Sequence, residues 1–232
     1  MKIKQFRYGS DNLAYLVYGR KKALAVDPGA VTAIIDFLGD NDLVLQTIVN
    51  THTHPDHTTG NKELLRRTGA EFIDMPTLLE NPRLDLEDER IDIYHTPGHT
   101  MDSAVFHCGR ALITGDTLFN GKAGRCFTGD LARFLESIKT ILAFPEETVI
   151  YGGHDYVLEY METAREIEPD NPAIDAFIKA YDPELVRSTL AGEKAVNPTL
   201  RFNTSSLIAI MKNRGLPVAT EYERWCSIMS LV

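Results

Sequence analysis

Three of the chain's seven histidines fall within six residues, His52, His54 and His57 in the run THTHPDH, and Asp56 stands beside the last of them. Chance or core packing accounts poorly for such a cluster. Imidazole nitrogen and carboxylate oxygen are the ligand types that suit Zn²⁺ and other borderline divalent ions. His52 and His54 lie two apart just beyond an apolar strand pattern and can point the same way, while Asp56 and His57 turn into a following helix. Two such pairs offer more donors than one tetrahedral site with an open position has room for, which points to two metals. Two ions about 3.5–4 Å apart can hold a hydroxide at neutral pH, orient a carbonyl and stabilise a tetrahedral oxyanion. No serine or cysteine nucleophile is then required.

Three further ligand candidates occupy the same kind of place. His99 in TPGHT, Asp116 in TGDT and His154 in YGGHDY each follow a strand pattern and sit beside glycines that allow close backbone approach. If those strands are neighbours with a common edge, seven ligands converge from four segments. His95 and His107 lie within or at the end of strand patterns with no ligand neighbour, and read as ordinary histidines.

The elements that must position these residues alternate short apolar runs with helical patterns. Leu13 to Tyr18 and Ala23 to Val26 read as a hairpin around Gly19 to Lys22, and Val31, Ile34, Ile35 and Leu38 as a helix ended by Gly39. Thr47 to Asn50 is a buried strand leading into the histidines. Leu64 and Leu65 lie on a helix stopped at Gly69; strands follow at Ile91 to Tyr94, Ala104 to His107 and Ala111 to Thr114, the last two joined by a turn at Cys108-Gly109-Arg110. Leu131 to Leu142 repeats at three and four behind an N-cap at Asp130, and Thr148 to Tyr151 gives one more strand. After about residue 158 only helices are expected, broken at Asn-Pro and Asp-Pro steps. The chain therefore divides into residues 1–158, the metal-binding domain, and 159–232, a smaller helical domain.

The 232 residues are 44% hydrophobic and 25% charged, a globular composition. With 24 basic against 33 acidic residues the net charge of −9 repels a polyanion, so no nucleic-acid partner is expected. The densest acidic run, Glu80 to Asp92, reads as a solvated loop. Three widely spaced cysteines, Cys108, Cys126 and Cys226, point to a reducing compartment. MKIKQFRYGSDN has no apolar core of a signal peptide, and no run of eighteen apolar residues follows; a cytoplasmic address with no membrane partner is expected.

THTHPDH with His99, Asp116 and His154 resembles the metallo-β-lactamase superfamily. Within it, GDTLF at 115–119, AGRCFTG at 123–129, GGHDY at 152–156, EPDN at 168–171, STLAGE at 188–193 and NPTLR at 197–201 resemble, in order, the glyoxalase II or hydroxyacylglutathione hydrolase pattern. The likeness runs over roughly residues 10 to 205. It implies an α/β fold: an αββα sandwich of two mixed sheets between helices, with an all-α C-terminal domain closing over the substrate. The resemblance makes residues 1–158 the hydrolase domain and 159–232 the substrate-binding domain. It implies one metal held by His52, His54 and His99, a second by Asp56, His57 and His154, and Asp116 bridging them. The ions implied are zinc, with iron or manganese as alternatives. Asp56 and Asp116 become the catalytic carboxylates, and Asp27 in VDPG is either a support that orients a histidine or a simple turn residue.

The reaction implied is hydrolysis of S-D-lactoylglutathione to D-lactate and glutathione, in methylglyoxal detoxification, by a monomer. An acidic protein needs local cations for glutathione's two carboxylates. Arg125 and Arg201 match that role by motif, since guanidinium pairs bidentately with carboxylate; Tyr156, Cys126 and Phe127 match the remaining carrier contacts. Thr53 stands where relatives often have a third histidine, Ala123 replaces a cysteine, Thr128 a glutamate, and Phe127 lacks a tyrosine's hydroxyl. The residues after Arg201 lack a nearby second cation. The alternative within the superfamily is a mononuclear iron persulfide dioxygenase. The STLAGE and NPTLR segments and the absence of an Arg-Thr-Asp-Phe run at Arg125 argue against it.

Overall fold

Strands that are apolar on both sides leave each sheet with two surfaces to cover. The computed structural model, which describes residues 1–232, covers them in four layers. The first sheet is ordered β1 (Lys2–Tyr8), β2 (Asn12–Tyr18), β3 (Lys22–Val26), β4 (Val44–Val49) and β5 (Glu71–Phe72). The β1–β2 and β2–β3 pairs are antiparallel, β3–β4 and β4–β5 parallel. The second sheet contains β6 (Arg83–Leu86), β7 (Glu89–His95), β8 (Ala104–Cys108) and β9 (Ala111–Gly115). A small ribbon, β10 (Leu118–Phe119) with β11 (Lys122–Ala123), precedes β12 (Val149–Gly152) and β13 (Ser188–Thr189), and the sheet is ordered β13-β12-β9-β8-β7-β6.

Helices fill the outer layers: α1 (Val31–Asp40), α2 (Pro55–Thr58), α3 (Asn61–Thr68), α4 (Met75–Glu80) and α5 (Leu131–Leu142). Six more follow, α6 (Val157–Ile167), α7 (Ala173–Ala180), α8 (Leu190–Val196), α9 (Pro198–Arg201), α10 (Ser205–Asn213) and α11 (Glu221–Met229). The period of two sorts the side chains. Leu13, Tyr15 and Val17 of β2 join Ile93, Phe106 and Ile113 between the sheets, whereas Ala14 and Leu16 pack outward with Ile34 and Leu38 of α1 and Leu64 of α3. On the far side Val105, Leu112 and Ile150 meet Phe134 and Ile138 of α5 together with Phe202, Leu207, Met211 and Trp225. This is the αββα sandwich, and the later helices extend its last layer. No helix is long and apolar enough to cross a membrane.

The structure departs from the sequence reading in four places. Lys2–Tyr8 is a strand, partly hidden in the sequence because its solvent-facing lysines interrupt the apolar alternation. The acidic run is not a loop: Arg83–Leu86 pairs antiparallel with β7, covering the sheet edge with one side exposed. After residue 158 one short strand remains, Ser188–Thr189, added antiparallel to β12. Gly39 lies inside α1, which runs one residue past it.

Candidate metal centre

Topology brings the candidate ligands to one edge. Parallel β3 and β4 end together, delivering Asp27 and the run from Asn50 to His57. Asn12 opens β2 at the same end because β2 runs against β3. In the second sheet β7, β9 and β12 all point one way, so His99, Asp116 and His154 follow strand ends on a common edge. Backbone hydrogen bonds tie the two edges, Ala104 donating to Thr51 at 2.8 Å and Leu13 to Gly153 at 2.9 Å, while within the second sheet Gly153 donates to Gly115 at 2.9 Å. Gly153 has no alternative, because a Cβ there would collide with Asp116 Oδ1 and crowd His57.

Two sets of donors result, His52, His54, His99 and Asp116 in one and Asp56, His57 and His154 in the other, each with its donor atoms within 4.8 Å of one another. His54 Nδ1 stands 3.0 Å from both His52 Nε2 and His99 Nε2, and His57 Nε2 stands 3.2 Å from His154 Nε2. Tetrahedral coordination with metal–nitrogen bonds of about 2.0–2.1 Å separates donors by roughly 3.3 Å. The spacing fits a shared ion. Asp116 lies between the sets, Oδ2 at 3.4 Å from His99 Nε2 and 3.5 Å from His154 Nε2, Oδ1 at 3.3 Å from His57 Nε2. Asp56 Oδ2 completes the second set at 3.3 Å from His154 Nε2 and 3.6 Å from His57 Nε2. Asp116 Oδ1 is buried without a hydrogen-bond partner, which a native fold rarely tolerates unless a cation or water answers it. The residues therefore fit divalent ions. His52, His57, His99, Asp116 and His154 are buried, so the site opens on the side of His54 and the exposed Asp56.

Each buried imidazole is oriented from behind. His52 Nδ1 meets the Thr51 hydroxyl at 3.1 Å and His99 Nδ1 the Arg125 carbonyl at 2.9 Å. His57 Nδ1 meets Asp27 Oδ2 at 3.0 Å, and His154 Nδ1 meets Asp11 Oδ1 at 2.6 Å. Asp27 is both turn and support: its φ of 50° turns the chain after β3, while its carboxylate also accepts from the Thr51 amide and hydroxyl, each at 2.7 Å. Asn12 Nδ2 donates to Asp56 Oδ2 at 2.9 Å, and the Tyr8 hydroxyl to the Asp56 carbonyl at 2.9 Å. Tyr8, Asp11 and Asn12 were missed in the sequence. Recognising β1 would have exposed the turn Gly9–Asp11 as a loop on the ligand edge.

Charge is balanced inside the cage. Burial opposes a charged His57, but Asp27 and Asp116 overcome it and raise its pKa to about 11. Burial and the neighbouring His57 push His52 down to about 4. Burial works against the Asp116 carboxylate as well, yet the neighbouring His154 and His57 hold it well below the usual range. Ligation by His57 requires its Nε2 to be free, so metal uptake expels a proton.

Beside the cage, Arg125, Cys126 and Phe127 form one wall. Phe127 is 58% exposed, with its ring 5.7 Å from His54 and 5.2 Å from His99. The exposed Arg125 guanidinium sits 5.0 Å over that ring. Arg125, Cys126 and Lys122 line a cavity of about 590 Å³ with Cys226 and Met229 of α11. Tyr156 forms another wall, stacked on His154 with centroids 5.1 Å apart and its hydroxyl 3.2 Å from Nδ1. Arg201 is elsewhere: its fork grips Glu168 through two 2.9 Å hydrogen bonds and it lines a different cavity. His95 Nε2 donates to the Met101 carbonyl at 2.8 Å, and His107 packs on Phe144; neither belongs to a donor set.

Comparison with known proteins agrees with this geometry. The sequence profile of the metallo-beta-lactamase superfamily matches residues 7–87 and 76–154. A protein of Chromohalobacter salexigens named hydroxyacylglutathione hydrolase is 33% identical, with 84% of this chain and 83% of that one covered. One of the same name from Vibrio cholerae serotype O1 is 31% identical over 90% of this chain and 89% of its own. The crystal structure of ETHE1 from Myxococcus xanthus superposes with a TM-score of 0.68 at 24% identity, covering 98% of this chain and all of that one, a likeness of fold.

Proposed function

The chain belongs to the metallo-beta-lactamase superfamily and, within it, to the hydroxyacylglutathione hydrolases, and from that premise we propose that it hydrolyses S-D-lactoylglutathione to D-lactate and glutathione. The observation that carries this reading is the pair of donor sets meeting at Asp116, whose Oδ1 is buried with no other partner. His52, His54 and His99 would hold one ion and Asp56, His57 and His154 the other, with Asp116 placed between the two sets. Bound there, divalent ions would supply hydroxide at neutral pH and polarise the thioester carbonyl. Asp56, the exposed ligand at the mouth, accepts a hydrogen bond from the attacking water and orients it. A thiol of ordinary acidity, pKa about 8.5, leaves as the thiolate, so the chain needs no strong general acid.

Arg125 pairs with a carrier carboxylate, Tyr156 donates its hydroxyl, and the backbone at Cys126 and Phe127 lines the carrier's path. Arg201 meets the carrier only by releasing Glu168, so Lys122, in the Arg125 cavity, is the better-placed second cation. Residues 159–232 serve as the substrate-binding unit. Histidine-rich donor sets favour zinc over iron or manganese. The enzyme acts as a cytoplasmic monomer. A persulfide dioxygenase with one iron on two histidines and an aspartate would leave the second donor set without a task. Elemental analysis with a thioester assay tests the proposal: two ions per chain and release of D-lactate are expected. Fully metallated protein inert on every glutathione thioester, yet consuming oxygen with glutathione persulfide, overturns it.

A further inference from the structure

The two donor sets are backed by different chemistry. Behind His52 and His99 stand neutral groups, the Thr51 hydroxyl and the Arg125 carbonyl. Behind His57 and His154 stand carboxylates, Asp27 and Asp11. The third member of the second set, Asp56, receives the Asn12 amide at 2.9 Å. Two of its three ligands are thus oriented by consecutive residues at the β1–β2 turn, which touch none of the first set's histidines.

That turn is itself held on several sides. The Ser10 hydroxyl donates to Asp11 Oδ2 at 2.6 Å, Asp155 donates its amide to the Asp11 carbonyl at 2.8 Å, and Leu13 donates to Gly153 at 2.9 Å. Asn12 pairs as an isolated bridge with His154. Asp56 lies exposed on the single turn α2, and its carboxylate has no neutral side-chain donor besides Asn12. Without Asn12 it is free to rotate toward solvent. Without Asp11, His154 Nδ1 keeps only the Tyr156 hydroxyl at 3.2 Å, and nothing charged fixes which nitrogen faces the ion.

We propose that Asp11 and Asn12 are positioning residues that set the affinity of the Asp56–His57–His154 position for metal separately from that of the His52–His54–His99 position. The proposal rests on the two-ion reading above. Each hydrogen bond aims one lone pair, and loss of such an outer partner typically weakens metal binding 10–100-fold.

The test uses zinc-loaded full-length protein dialysed against graded chelator, with zinc per chain measured at each step. Asp11→Asn keeps the shape and removes the charge; Asn12→Asp sets a second carboxylate against Asp56. Each variant is expected to release one equivalent at about 10–100-fold lower chelator strength than wild type, while the other equivalent leaves near its wild-type point. That retained ion also reports a folded cage. Wild type holding two ions, with variants that keep both as tightly or lose both in parallel, overturns this proposal alone. Wild type holding a single ion overturns the two-ion reading and this proposal with it.

Discussion

The cage and the wall formed by Arg125, Cys126 and Phe127 are neighbours built to different tolerances. Five of the seven candidate ligands are buried, and each buried imidazole has a fixed partner behind it. On the wall, Arg125 is exposed and rests on a Phe127 ring that is itself 58% exposed. A metal ligand misplaced by a fraction of an ångström loses its bond, whereas a guanidinium on a long chain can find a carboxylate from many rotamers. Precision is concentrated where the chemistry occurs. Substitutions in the cage should therefore act on metal content and kcat, and those on the wall on KM.

The largest effect expected is that of Asp116→Ala. One side chain serves both donor sets, so its loss should lower turnover by more than about a thousandfold and reduce metal per chain. His95→Ala and His107→Ala, which touch neither set, should leave both unchanged. Unchanged metal in Asp116→Ala on elemental analysis would remove the bridging role and with it the cage's claim to tighter construction.

The same contrast governs what the sequence disclosed. Seven candidate ligands stood out because metal chemistry restricts ligands to a few residue types, here at strand ends next to glycines, and the structure gathers all seven on one edge. The buried strands were legible because β2 and β9 are continuous apolar runs, while the sandwich they build came from the family resemblance. What supports the ligands was harder to see. Asp11 and Asn12 sit 143 and 44 residues from their respective partners His154 and Asp56, and many polar side chains could have served. Arg201 fits a carboxylate by type, but the carboxylate it grips belongs to Glu168 of the chain itself. A guanidinium's partner is fixed by packing, which a motif does not encode.

Two arginines sharpen the comparison at intermediate scale. Arg201→Ala leaves Glu168, 6% exposed, with only Ser206 as a side-chain donor. Breaking a buried pair on one side costs about 3 kcal/mol, a fall in Tm of about 6–12 °C for a chain of this size, with KM little changed. Arg125→Ala should do the reverse. A charge-assisted contact of about 1.5–3 kcal/mol, nearly equal in ground and transition states, raises KM about ten- to hundredfold and leaves kcat within about tenfold. Steady-state kinetics and thermal unfolding of both variants separate the roles. An Arg125→Ala variant with wild-type KM moves the carrier to another surface.

The smallest effect lies at the opposite end of the strands that carry the cage. Glu87 reaches across from the β6–β7 turn and accepts the backbone amides of Arg20, Lys21 and Lys22 at 3.0, 2.6 and 2.9 Å, closing the turn between β2 and β3. These hydrogen bonds hold its pKa at about 2 against an ordinary 4.5. A carboxyl whose folded pKa is depressed contributes its stabilisation in full above the unfolded value and loses it as pH falls toward the folded one. Glu87→Gln should therefore lower Tm by at most about 4 °C at neutral pH, and the gap from wild type should shrink as pH drops below about 4.5 and close near 2. Metal lost in acid affects both proteins alike and cancels in the difference. Because Lys22 opens β3 while Asp27 follows its far end, zinc per chain should not change at neutral pH. A Glu87→Gln protein that sheds zinc would show that the cage borrows its precision from the far edge of the sheet, and the division between a rigid cage and a tolerant periphery would then have to be redrawn.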